Sequence, residues 1–222
     1  MRESPNHGER RGGARPDLVV IHYTAMRTTQ EALERLCDPA YEVSAHYLLA
    51  EDGTVLPLVP EERRAWHAGA GRWGEVSDIN SRSIGIELAN RGTHPFAHRQ
   101  IAALERLLDE ILARWTIPPE RVLGHSDMAP ARKVDPGPRF DWRRLARSGL
   151  SVWPEDAEAE KATFLTSLAA FGYDPALPPD LLLQAFRLRF RPWASGPLSR
   201  CDAGAAADLA ARFPVDRRAG AA

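Results

Sequence analysis

From residue 98 to residue 115 the chain lays down one helical stripe: Ile101, Leu104, Leu107, Leu108, Ile111, Leu112 and Trp115 recur three or four residues apart. Pro118 and Pro119 stop it. An amphipathic helix of this length needs an apolar surface to lie on, and short strand-like runs flank it. "SIGIELAN" (83–90) sets Ile84, Ile86 and Leu88 against Gly85, Glu87 and Ala89. That period of two marks a strand and turns Glu87 away from the aliphatics. "RVLGH" (121–125) is a second apolar run, and "DLVVIHY" (17–23) a third, β-branched and buried in character. "TQEALERLC" (29–37) has helical spacing with Thr28 or Thr29 as its cap. "SAHYLLAEDGTVLPLV" (44–59) reads as two strands joined at Asp52-Gly53, and "FDWRRLARSGL" (140–150) as a closing helix. Strands alternating with helices predict an α/β domain that ends near residue 150.

Beyond it, "SVWPEDAEAE" (151–160) reads as a linker, with a proline and an acidic cluster. Residues 161–222 carry three short helical patterns, "KATFLTSLAAFGYD", "PPDLLLQAFRLRF" and "AGAAADLAARF", enough for a small three-helix module.

Composition excludes several classes. The 222 residues are 44% hydrophobic and 27% charged, with a net charge of −1, so no global positive field gathers nucleic acid or anionic lipid. The arginines at 2, 10, 11 and 15 make the start locally basic and read as a solvated arm. Cys37 and Cys201 form no CxxC pattern, which argues against thiolate ligation; one bridge between them stays open. No run of 18 apolar residues occurs, so no membrane span is expected. The start "MRESPNHGERRGGARPD" has no apolar core of a secretory signal, which points to the cytoplasm; an envelope protein with its signal removed would read the same.

The chemistry concentrates at "GHSDMAPARKVDPG" (124–137), which holds a histidine, two aspartates, an arginine and a lysine among Pro and Gly breakers. His22 ends the first strand, His125 ends the late one, and Asp135 lies in the loop that follows. Two imidazoles and one carboxylate suit Zn²⁺ with a fourth position left for water, which is the pattern of a catalytic site. Spacing alone leaves open whether these are ligands or ordinary core and surface groups. His125, Ser126 and Asp127 are consecutive and point in different directions, so they are no nucleophilic triad. Glu87, on the non-core face of its strand, is the candidate to take a proton from water and pass it to a leaving nitrogen. Lys133, two residues before Asp135, is the candidate to stabilise an oxyanion.

The segments "VVIHYT", "VSAHYLLAEDGTV", "RAWHAG", "SIGIELAN" and "GHSDMAPARKVDPGPRFDW" occur in that order, and "SPNHGERRGG" precedes them. Together they resemble the zinc-dependent N-acetylmuramoyl-L-alanine amidases of the AmpD/AmiD type, whose fold is shared with T7-type lysozyme and peptidoglycan recognition proteins. The resemblance covers about residues 4–150. It implies a mixed central sheet flanked by helices, a zinc ion on His22, His125 and Asp135, acid/base work by Glu87 and oxyanion stabilisation by Lys133. It also implies a substrate groove lined by Trp66, His67, Ala68 and Asn80, and a peptidoglycan fragment as substrate, such as a 1,6-anhydro-muropeptide from cell-wall recycling. Recognition proteins of this fold that bind without cutting lack the third ligand. Asp135 is present here, so binding alone is the alternative reading. His46 is read as a supporting or core histidine, since the ligand set is complete without it. Two positions depart from the AmpD pattern: Glu42 and Asp78 stand where arginines hold the stem peptide, so recognition of the peptide carboxylates either differs or comes from Arg72 or Arg82. Residues 161–222 resemble the small peptidoglycan-binding module attached to AmiD-type enzymes; a helical appendage packed on the first domain is the other reading.

Overall fold

The structure, a computed structural model, describes residues 3–215. Its strands are β1 (His7–Glu9), β2 (Leu18–Tyr23), β3 (Tyr47–Leu49), β4 (Val55–Pro57), β5 (Arg63–Ala65), β6 (Ser83–Leu88) and β7 (Val122–Gly124). Its helices are α1 (Thr29–Leu36), α2 (Ile79–Arg82), α3 (His98–Trp115), α4 (His125–Met128), α5 (Trp142–Arg147), α6 (Phe164–Phe171), α7 (Pro179–Phe190) and α8 (Arg200–Arg212). The central sheet has the order β4-β3-β6-β2-β7. Strands β3, β6, β2 and β7 are parallel and β4 is antiparallel to β3, so the sheet is mixed, flanked by helices as expected.

The two faces of the sheet have separate partners because side chains alternate along each strand. Val19 and Ile21 of β2 and Ile84, Ile86 and Leu88 of β6 join the stripe of α3 in one buried cluster, with Trp115 partly buried at its edge. Leu18 and Val20 of β2 and Leu123 of β7 face the other way and share a core with Phe164, Phe171, Phe186 and Phe190 of the C-terminal helices. Farther along this second face, Leu48 of β3 packs on Ala32 and Leu36 of α1. Thr28 caps α1, its Oγ1 accepting from the Glu31 N–H at 3.1 Å. The C-terminal helices therefore continue the core beneath β2. The segment 151–160 is seated too: Ser151, Val152 and Pro154 are buried.

Several features differ from the sequence expectations. The strand of "RVLGH" ends at Gly124, and His125 opens a single helical turn, α4, before the loop begins. Arg10 is no solvated arm. It is 7% exposed, and its guanidinium donates to the carbonyls of Glu61 (2.7 Å), Ser81 (2.8 Å) and Ser83 (3.1 Å), tying the entry segment to two distant stretches of chain. That entry also forms β1, paired antiparallel with β5. Cys37 and Cys201 are not joined by a disulfide. Among the described residues no helix is long and apolar enough to cross a membrane.

Candidate metal centre and catalytic cleft

Strands β2 and β6 place His22 directly beside Glu87 in the parallel register, so both side chains project to the same face. The turn α4 adds His125, and the following loop brings Asp135 back, anchored by the Ser126 N–H donating to the Asp135 carbonyl at 2.9 Å. His22 Nδ1 lies 2.9 Å from His125 Nδ1 and 2.9 Å from Asp135 Oδ2; His125 Nδ1 lies 3.1 Å from the same oxygen. All three residues are buried, and their ligand atoms lie within 4.8 Å of one another.

The surrounding hydrogen bonds assign the protons on both imidazoles. His125 Nε2 is 2.9 Å from the carbonyl of Ala68, which can only accept, so this nitrogen carries the proton. Ser83 Oγ donates to the Ile79 carbonyl at 2.6 Å and therefore accepts from His67 Nε2 at 3.1 Å. His67 Nδ1 is left to accept from His22 Nε2 at 3.0 Å. In the neutral imidazoles both Nδ1 lone pairs then point at one spot, together with a carboxylate oxygen. Three acceptors with no donor among them are mutually unfavourable and fit a divalent cation, with the outer hydrogen bonds fixing each ring as metal-binding histidines require.

Burial and the neighbouring His125 lower the pKa of His22 to about 4, which keeps it neutral near pH 7. Burial alone would raise the Asp135 carboxyl; with a proton on a histidine Nδ1 in place of a cation, the contacts with His125 and His22 outweigh burial and hold it well below the usual carboxylate range. Burial, with Asp135 next and Lys133 opposing, pushes Glu87 up to about 8. Glu87 Oε2 is buried and has no hydrogen-bond partner among the described residues.

These groups open onto a cleft of about 390 Å³. Trp66, His67, Glu87, Arg132, Lys133 and Arg35 are among its walls. Of the residues expected to line a groove, Trp66 and His67 do so. Ala68 and Asn80 stand behind the wall instead. Ala68 is fully buried and presents its carbonyl to His125, while Asn80 Oδ1 accepts from the N–H groups of His67 (3.1 Å) and Ala68 (2.8 Å) and holds that segment in place. His46 is fully buried, its Nδ1 accepting from the Gly85 N–H at 2.9 Å, which is a supporting place beside the ligand set. Arg72 and Arg82 are committed elsewhere, Arg72 to the Gly74 carbonyl (2.7 Å) and Arg82 to Asp17 (2.7 Å). The cations at the cleft are Arg35, Arg132 and Lys133. One signal for His67 was present in the sequence: a glycine inside strand β6. A Cβ on Gly85 would stand 2.3 Å from the His67 ring, so only glycine admits that ring across the strand.

An open cleft at the ends of parallel strands, a converging His/His/Asp set and an unpartnered carboxylate with high proton affinity together define a hydrolase built on a mixed α/β sheet. The comparisons with known proteins give the particular family. Residues 12–138 match the model of the family described as N-acetylmuramoyl-L-alanine amidase. The chain is 37% identical to N-acetylmuramoyl-L-alanine amidase AmiD of Escherichia coli K12 over 79% of its own length and 75% of that protein's. It is 33% identical to 1,6-anhydro-N-acetylmuramyl-L-alanine amidase AmpD of Enterobacter cloacae over 64% of this chain and 85% of the relative. Among solved structures, E. coli AmiD in complex with the substrate anhydro-N-acetylmuramic acid-L-Ala-D-gamma-Glu-L-Lys superposes with a TM-score of 0.81 at 34% identity, covering 96% of this chain and 93% of that one. AmpDh3 of Pseudomonas aeruginosa in complex with anhydromuramic pentapeptide gives 0.82 at 31% identity, covering 96% of each. The chain belongs to the N-acetylmuramoyl-L-alanine amidase family and is an enzyme of that activity.

Proposed function

We propose that the chain is a zinc-dependent amidase that cuts the bond between the lactyl group of N-acetylmuramic acid and L-alanine in soluble 1,6-anhydro-muropeptides. The observation that carries the metal reading is the convergence of His22 Nδ1, His125 Nδ1 and Asp135 Oδ2 with both imidazole protons turned outward. When bound, zinc supplies the Lewis acidity that polarises the scissile carbonyl and brings the pKa of the attacking water toward ~7. The protein's own groups do the rest. Glu87 accepts the proton released as the water oxygen bonds to the carbonyl carbon, then gives it to the alanine nitrogen as the C–N bond breaks; its raised proton affinity suits the donating step, and the charge of a bound cation would restore the carboxylate that the accepting step needs. Lys133 stands at the same cleft, where its ammonium shares the oxyanion charge of the tetrahedral intermediate.

The substrate class rests on the cleft and on the ligands named with the relatives that match nearly the whole chain. Trp66 offers a flat apolar wall to the sugar or the first peptide residue. Arg35 offers positive charge to the carboxylates of the stem peptide, in the role assigned on sequence grounds to Arg72 or Arg82, while Arg132 at the same cleft is held by the Ala70 carbonyl (2.9 Å). The cytoplasmic location belongs to the same proposal and is tested by cell fractionation. Incubating zinc-loaded protein with a purified anhydro-muropeptide and, separately, with intact sacculi tests the substrate. Mass spectrometry is expected to show free stem peptide beginning at L-alanine from the soluble fragment. Turnover of sacculi with none of the fragment would move the substrate to the cell wall. Tight binding of the fragment without cleavage would make the cleft a recognition site only.

A further inference from the structure

The second element at the metal centre comes from the far end of the chain. Asp127, two residues after the ligand His125, is fully enclosed, and its carboxylate has three donors. Oδ2 accepts from the Gly124 N–H at 2.8 Å, immediately before the ligand. The same oxygen accepts from Arg189 Nη1 of α7 at 2.6 Å, and Oδ1 accepts from the Tyr173 hydroxyl at 2.7 Å. Arg189 also donates from Nη2 to the Val122 carbonyl of β7 at 2.9 Å and to Ser151 Oγ at 3.2 Å, and its guanidinium lies over the Trp142 ring at 4.3 Å from the centroid. Arg189 is 2% exposed and Tyr173 1%. Both sides of the ligand-bearing turn, the first residue of β7 and the third residue of α4, are thus gripped by one guanidinium from the C-terminal helices.

We propose that Arg189 and Tyr173 are positioning residues for the metal ligand His125, so that the C-terminal helices are a working part of the active site of this amidase. The physical reason is the lack of slack. The ligand atoms already stand 2.9–3.1 Å apart, and His125 Nε2 is tied to the Ala68 carbonyl, so the ring cannot adjust on its own. Metal–ligand distances tolerate displacements of about 0.2 Å. A buried carboxylate that loses its cation draws in water or a proton and releases the Gly124 N–H, and the backbone at residues 124–125 sets where Nδ1 points. A fork with two parallel nitrogens is needed to reach Asp127 and Val122 together, which a single ammonium cannot do.

The inference rests on the metal reading above, and its test separates the two. Zinc affinity is measured by competition with a chromophoric chelator on the full chain, for wild type, Tyr173→Phe, Arg189→Lys and the charge-balanced double variant Asp127→Asn with Arg189→Met. Cobalt-substituted samples give the ligand geometry from their visible spectra. The expected result is about tenfold or more weaker zinc binding for the double variant and Arg189→Lys, a smaller loss for Tyr173→Phe, and an altered cobalt spectrum in each. Circular dichroism and the melting midpoint of chelated protein establish that the variants fold; Tyr173→Phe removes one hydroxyl and keeps the volume, so it reports even if the others unfold. Folded variants with wild-type zinc affinity and an unchanged cobalt spectrum would overturn the positioning role and leave the metal centre intact. Wild-type protein that takes up no zinc would overturn both.

Discussion

Replacing Glu87 by glutamine in chelator-treated protein separates the electrostatic cost of this carboxylate from its chemistry. Burial and the charge of Asp135 push its pKa from the ordinary 4.5 up to about 8. Between those two values the folded chain keeps a proton that the unfolded chain has released. The contribution of Glu87 to stability is therefore fully present below about pH 4.5 and is lost as pH rises through about 8. At pH 7 the unfolded state gains from being about 2.5 pH units above its own pKa, a cost to folding of about 3 kcal/mol. Glutamine has no such proton, and any penalty for burying its amide does not change with pH. Urea unfolding of both proteins from pH 5 to pH 8 is expected to show the stability of Glu87→Gln relative to wild type rising by about 2–3 kcal/mol between pH 5 and pH 7. Parallel curves would refute the placement of a carboxyl with an unpartnered oxygen in the wall of the cleft. With zinc restored, the same variant is expected to lose about 10²-fold or more in turnover.

Lys133→Met is expected to lower kcat about 10²-fold with a smaller change in KM, because the ammonium acts on charge that develops in the transition state; steady-state kinetics on the muropeptide check this, and an unchanged kcat removes Lys133 from the mechanism. Gly85→Ala drives a methyl into the His67 ring and is expected to cost about 1–3 kcal/mol in denaturant unfolding and to weaken zinc binding through His22. Arg10→Met strands the carbonyls of Glu61, Ser81 and Ser83 and is expected to destabilise the fold by about 2–5 kcal/mol, in contrast to the negligible effect of removing a solvated arginine.

The elements that could be read from the sequence are those whose signal is local and periodic. The α3 stripe and the alternation of β6 each repeat often enough to fix type and facing, which is why Glu87 could be placed opposite Ile84 and Ile86 before any coordinates. His22, His125 and Asp135 were legible as a candidate donor set, because the required residue types sit in a strand, just after another strand and in one loop. What escaped is non-local. The ribbon of β1 and β5 has three residues a side, too few to show a period. The burial of Arg10 depends on carbonyls more than 50 residues away in sequence. Ala68 and Asn80 act through a backbone carbonyl and a hidden side-chain oxygen, which residue identity does not advertise. The contact of Arg189 with Asp127 crosses from α7 to α4, so three helical patterns at the end of the chain carry no sign that they complete the core under β2.

The convergence of His22, His125 and Asp135 is tested most directly by metal stoichiometry. Chelator-stripped wild-type protein titrated with zinc in a calorimeter is expected to bind one ion per chain tightly, and His22→Ala, His125→Ala and Asp135→Ala are each expected to lose that isotherm while remaining folded. Tight one-to-one binding that survives any of the three substitutions, or no binding by the wild type, would contradict a metal centre made by these side chains.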